Sequence, residues 1–187
     1  MRPAYQQARR FDMSELITLA SFRTGILNPK MVVDLLGVQE GMRIADFGSG
    51  SGHFSLLLAE KAGMTGRVTA IDIQEAPLEV VRGKAKAAGL TNLETVRADL
   101  EVLGSSSLPD ASHDMVLIAN MLFQSSKKPE VIREAKRILK DSGRLVVIEW
   151  SKGSGGFGPP EELRAEDEAL QALITQEGFL FEQNMKA

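Results

Sequence analysis

Residues 43–63 read RIADFGSGSGHFSLLLAEKAG, and this stretch decides the fold. Arg43 to Phe47 form a short, mostly apolar run with the character of a buried strand. Gly48, Ser49, Gly50, Ser51 and Gly52 then make a glycine-rich turn. From His53 on, Phe54, Leu57, Leu58 and Ala62 fall at helical spacing, and Gly63 is a natural stop. Glycines let the backbone turn sharply and let a ligand approach without a Cβ in the way. The free N–H groups at the start of the helix favour an anionic ligand group.

The same strand–helix alternation extends downstream. RVTAID (67–72) leads into a helix through EAPLEVVRGKAKAAG, with Pro77 harmless in its first turn and Gly89 at its end. NLETVRA, DMVLIAN and GRLVVIEW supply three further strands. A helix beginning near Pro129, PEVIREAKRILK, joins the last two. Nearly apolar strands separated by helices imply a parallel sheet covered on both faces, with ligands bound at the carboxyl ends of the strands. The loop SKGSGGFGPP, a helix through ELRAEDEALQALITQEG and a short strand FLFE complete the chain. Two helical stretches are expected ahead of the sheet, one after Ser14 and one opened by Asn28-Pro29. Residues 1–40, with Pro3, Tyr5, Arg9, Arg10 and Phe11, read as an N-terminal helical arm. It either covers the ligand site as a lid or straps the sheet edge. Residues 41–187 read as the ligand-binding domain, one domain overall at 187 residues.

Composition excludes several functions. A chain with 43% hydrophobic and 25% charged residues is globular, and a net charge of -3 gives no bulk reason for a nucleic-acid partner. The absence of cysteine rules out disulfides, thiolate metal sites and a cysteine nucleophile, and suits a reducing cytoplasm. His53 and His113 are too far apart to form a metal-ligand motif, so no metal is expected. The start, MRPAYQQARRFDM, has no apolar segment after it, and no apolar run approaches the ~20 residues that span a bilayer. Basic residues recur at Arg82, Lys84 and Lys86, and again at Arg133, Lys136, Arg137 and Lys140. At helical spacing they read as solvated faces before they read as a nucleic-acid surface.

The glycine spacing separates the ligand classes. A phosphate-binding loop would end in Gly-Lys-Ser/Thr, which is missing here. A dinucleotide fingerprint, and with it a nicotinamide oxidoreductase, would place a third glycine where His53 stands. The pattern is G-x-G-x-G, with Asp46 two residues before Gly48. It resembles the first motif of the class I S-adenosylmethionine-dependent methyltransferases. The resemblance implies a three-layer α/β/α, Rossmann-like, doubly wound and mostly parallel fold. It also implies S-adenosylmethionine as cofactor and S-adenosylhomocysteine as product. It assigns Asp46, Gly48, Ser49, Gly50 and Gly52 to the cofactor loop, and Asp72 to the ribose hydroxyls. Ile73 falls against the adenine, Asp99 receives the adenine amino group, and the Leu100 N–H faces the ring. Asn120, at the end of the fourth strand, is the candidate catalytic and cofactor-side residue, and it either orients an acceptor or caps the strand. His53, Phe123 and Gln124 are secondary candidates for the cofactor or acceptor side.

The implied activity is methyl transfer, with a small molecule as the leading acceptor. RNA or protein methylation, and a catalytically silent module that binds the cofactor, are the alternatives. Zero cysteine argues against likeness to the thiol-dependent arsenite methyltransferases. The family's antiparallel seventh strand has no counterpart here, because FLFE supplies at most the sixth. The apolar fifth strand LVVIEW is therefore expected to expose an edge, and self-association through that edge into a homo-oligomer follows unless another segment covers it.

Overall fold

The computed structural model describes residues 16–22, 28–153 and 158–185. Seven strands form one sheet: β1 (Leu16–Phe22), β2 (Arg43–Phe47), β3 (Arg67–Asp72), β4 (Leu93–Arg97), β5 (His113–Ala119), β6 (Leu139–Trp150) and β7 (Leu180–Met185). Among the described residues five α-helices accompany them: α1 (Pro29–Leu35), α2 (His53–Ala62), α3 (Glu75–Ala88), α4 (Lys128–Ile138) and α5 (Asp167–Gln176). The order across the sheet is β4-β3-β2-β5-β6-β1-β7, and every pairing is parallel.

Side-chain alternation along the strands explains the layers. Ile44, Val68, Met115, Leu117, Val146 and Ile148 point to one face, where they meet Val32, Val33 and Leu36 of the α1 region and Phe54 and Leu58 of α2. Ala45, Phe47, Ile71, Val116, Ile118, Leu145 and Val147 point to the other, against Val131, Ile132 and Ala135 of α4 and Leu170 and Ile174 of α5. A period of two on strands buried on both faces yields continuous apolar runs in sequence. The three-layer doubly wound fold expected from sequence is present. The chain winds outward from β2 through β3 to β4, then restarts at β5 and winds the other way. The switch point therefore lies between β2 and β5, where open sheets of this kind bind ligands.

The N-terminal region departs from expectation. The segment after Ser14 is a strand, not a helix: β1 pairs with β6 on one side, Leu19 opposite Val147, and with β7 on the other. It occupies the β6 edge that the sequence left open. The expected homo-oligomer through an exposed fifth-strand edge loses its premise, because the same chain already satisfies those backbone groups. The physical reason is local ambiguity. LITLASF mixes helix and strand formers, and the unpaired ladder of β6 settles the choice. Asn28 behaves as expected, its Oδ1 accepting the N–H of Lys30 at 3.0 Å to cap α1. Of the arm expected over residues 1–40, residues 1–15 and 23–27 lie outside the described residues. Among the described residues no helix is long and apolar enough to cross a membrane.

Candidate functional site

A cleft of about 560 Å³ opens at the carboxyl ends of β2 to β5. That lies within the usual range of about 300–1,000 Å³ for small-ligand sites. Its floor is the glycine turn. The N–H groups of Gly48 and Ser49 both donate to the Ile71 carbonyl, at 2.8 and 2.9 Å, which ties the turn to β3. Gly48 (φ +69°) lacks the Cβ that would fall 2.5 Å from Cγ of Met121, and Gly52 (φ +79°) lacks one that would fall 2.8 Å from a Val81 methyl. Both positions need glycine for conformation and for space.

Asp72, ending β3, fastens the turn from the side. Its Oδ2 accepts the Gly50 N–H at 3.0 Å and its Oδ1 accepts the Gln74 N–H at 2.9 Å. A carboxylate offers about four lone-pair sites, so each oxygen keeps capacity for a further donor such as a hydroxyl. Ile73 follows with an exposed apolar side chain, and both residues line the cleft. Beside them, after β4, stand Ala98, whose N–H donates to the Asp72 carbonyl at 3.0 Å, Asp99, Leu100 and Glu101. The Asp99 side chain accepts the Glu101 N–H at 3.0 Å, which turns the chain so that Leu100 is buried while Asp99 stays exposed.

The third wall follows β5. Asn120, Met121, Gln124 and Ser125 line it. Asn120 sits at φ +52°, a left-handed conformation uncommon for a non-glycine residue, and its N–H donates to the Ile148 carbonyl at 2.7 Å. Two carboxylates hold this loop. Glu101 reaches across to accept from Ser125 Oγ, Ser126 N–H and Ser126 Oγ, each at 2.8 Å. The Ser125 and Ser126 hydroxyls and the Ser126 N–H keep its carboxyl at about 2, well below the usual range. Glu149 holds the loop from beneath, its Oε1 accepting from the N–H groups of Met121 (2.9 Å) and Leu122 (2.6 Å).

The structure thus brings Gly48, Gly50, Asp72, Ile73, Asp99, Leu100 and Asn120 to one cleft. Three of the sequence candidates support the turn instead. Asp46 is buried, and its Oδ2 accepts from Ser55 Oγ of α2 at 2.5 Å; burial pushes its carboxyl up to about 6. Gly52 is the N-cap of α2, and Ser49 lies inside the turn. Of the secondary candidates, Gln124 reaches the cleft; His53 is exposed on α2 away from its lining, and Phe123 is not among the lining residues either. His113 starts β5, at the opposite end of the sheet, where burial lowers it to about 4. Glu101 and Glu149 have no role assigned from the sequence. Only Glu149 carried a signal, as an acid within the apolar run LVVIEW.

The donor set suits an adenosine-type ligand. Ser49 Oγ is buried with no hydrogen-bond partner among the described residues, and Asp72 has acceptor capacity to spare. Exposed Ile73 and buried Leu100 offer apolar surface. A family model described as a methyltransferase domain matches residues 38–184.

The chain belongs to the methyltransferase family.

Within that family, it is 38% identical over 124 residues to a ubiquinone/menaquinone biosynthesis C-methyltransferase UbiE of Pseudomonas entomophila, covering 66% of this chain and 47% of the relative. A UbiE of Escherichia fergusonii is 33% identical over 146 residues, covering 78% and 56%. The chain spans about half the length of these curated relatives. Among solved structures, a SAM-dependent methyltransferase from Aquifex aeolicus superposes with a TM-score of 0.74 at 28% identity, over 81% of this chain and 79% of that one. These likenesses agree with the class I S-adenosylmethionine-dependent methyltransferase family read from the glycine motif.

Proposed function

We propose that this protein binds S-adenosylmethionine and methylates a small organic acceptor. The observation that carries the proposal is the cleft itself. One carboxylate, Asp72, is fixed by the glycine turn at the switch point, and a separate wall formed by Asn120, Met121, Gln124 and Ser125 faces it. In this reading Asp72 accepts the two ribose hydroxyls, Ile73 and Leu100 enclose the adenine, and Asp99 receives its amino group. The carbonyls of Gly48 and Gly50 face the amino-acid end in this reading, Asp46, Ser49 and Gly52 shape that turn, and Asn120 orients the acceptor. When bound, the cofactor supplies a methyl group activated by its sulfonium. The chain's part is to hold the acceptor in line and to exclude water, and both contribute strongly to displacement reactions. A dedicated base is not required for every acceptor.

The charge around the cleft favours a small molecule over RNA. Among the described residues its lining includes Asp72, Asp99 and Glu101 and no lysine or arginine. Lys84 and Arg97 are tied to the carbonyls of Ser51 and Ile73. Basic residues of α4 and the start of β6 are engaged too: Arg133 with Glu177, Arg137 with Glu134 and Asp110, and Lys140 of β6 with Asp114. A nucleic-acid site would need free cations at its mouth. The curated relatives are named for C-methylation in quinone biosynthesis, so hydroxylated aromatic rings head the acceptor panel. A cysteine-free chain suits a reducing compartment, and the proposal places the enzyme in the cytoplasm.

Titration calorimetry with S-adenosylhomocysteine tests the cofactor half. Wild type is expected to bind, and Asp72→Ala to bind at least about tenfold more weakly, since two charge-assisted hydrogen bonds are lost. Transfer of labelled methyl groups to the acceptor panel tests the other half. Uptake of a nicotinamide dinucleotide in place of the nucleoside would refute the proposal. Binding without transfer to any acceptor would favour the silent module.

A further inference from the structure

Glu149 lies near the end of β6 on the sheet face that packs against α4, and it is 4% exposed. An acid buried there is costly unless its oxygens are used. One oxygen, Oε1, takes the N–H groups of Met121 and Leu122, while Oε2 is buried with no hydrogen-bond partner among the described residues. The residue before it, Ile148, takes the N–H of Asn120. Two successive residues of β6 thus collect three successive N–H groups of the loop that follows β5. The loop needs such support. Asn120 is left-handed, and the Met121 side chain fills the space where Gly48 has no Cβ. Both residues line the cleft.

We propose that Glu149 is a positioning residue of this cleft: by holding the Asn120–Leu122 turn, it sets where Asn120 and Met121 stand against the nucleoside and the acceptor. The proposal rests on the cofactor reading above. An apolar side chain of similar bulk would fill this position but leave the Met121 and Leu122 N–H groups without an acceptor, and a buried charge seldom stabilises in its own right. The acid is therefore explained by what Oε1 gathers. Desolvation raises the Glu149 carboxyl to about 7; the loop N–H groups and Lys128, on α4, pull the other way. Oε1 accepts in either protonation state, so Glu149→Gln preserves the contact and Glu149→Met removes it while filling the space.

The test uses the full chain and two readouts, S-adenosylhomocysteine affinity by calorimetry and amide exchange over residues 119–125 by mass spectrometry. Folded E149M is expected to exchange these amides at least about tenfold faster and to bind about fivefold or more weakly. E149Q is expected to match wild type within about threefold in both. A purely structural role would lower the melting temperature of E149M and leave the affinity of the folded variant unchanged. Wild-type exchange and affinity in E149M would overturn the proposal. If E149M does not fold, E149Q decides: rapid exchange or weak binding in that variant would overturn it. If wild type ignores S-adenosylhomocysteine, the cofactor reading fails by itself, and exchange alone then judges Glu149.

Discussion

Asp46 and Glu149 are carboxylic acids buried on opposite faces of the same sheet, and both are pushed upward by desolvation, to about 6 and about 7. An acid whose folded value lies above its unfolded value gives stability that is present at low pH and lost as pH rises through the folded value. Glu134 has the opposite sign. Arg137, Ser106 and the Gly104 N–H overcome its desolvation and hold it at about 2, so its contribution is present above the ordinary 4.5 and lost as pH falls through 2. His113, kept neutral by burial, also costs stability as pH falls from 6.5 towards 4. Comparing E149Q with wild type cancels these other groups. The variant is expected to gain on the order of 2 kcal/mol relative to wild type between pH 5.5 and 8, with the difference vanishing below about pH 4.5. Chemical denaturation across that range measures it, and a pH-independent difference would contradict the buried acid. Asp72 and Ile73 were legible in sequence because one ends a strand and the other follows it immediately. Asp46 was legible as an acid, but its bond to Ser55, nine residues on, became visible only when α2 folded back over β2.

Among the elements, the glycine turn is the most constrained. At Gly52 a side chain would meet both a left-handed backbone and Val81 of α3. Gly52→Ala is expected to cost about 2–3 kcal/mol, roughly half from the backbone and half from the clash. In a Val81→Ala background the clash is relieved, so the same substitution should cost about 1 kcal/mol less. A double-mutant cycle by urea unfolding checks this, and additivity would show that α3 does not press on the turn. The turn itself was readable because strand, glycines and helix are contiguous in the chain. The loop after β5 was not. Its shape depends on Glu101 and Glu149, which are 24 and 28 residues from the groups they bind.

At the scale of the whole molecule, the decisive feature is β1. Leu19 lies between Val147 and Asn184 in the middle of a three-strand stretch. Leu19→Pro removes a donor from this ladder and should destabilise the protein by about 3 kcal/mol or more. It would also open the β6 edge and promote association with other chains. Calorimetry and size-exclusion chromatography at several concentrations report both effects. An unchanged melting temperature and a sharp monomer peak would mean that β1 does not guard the edge.

The order of residues alone specified the alternating strands and helices, the glycine turn, and the carboxylates that end its neighbouring strands. Those features rest on local periodicity and on residues adjacent in the chain, where few conformations compete. Tertiary structure decided the rest: the strand state of residues 16–22, the shielding of β6, and the burial of Glu149 beneath Asn120 and Met121. Each of these depends on backbone groups of distant segments finding partners, and a one-dimensional pattern holds no record of which distant partner is nearest.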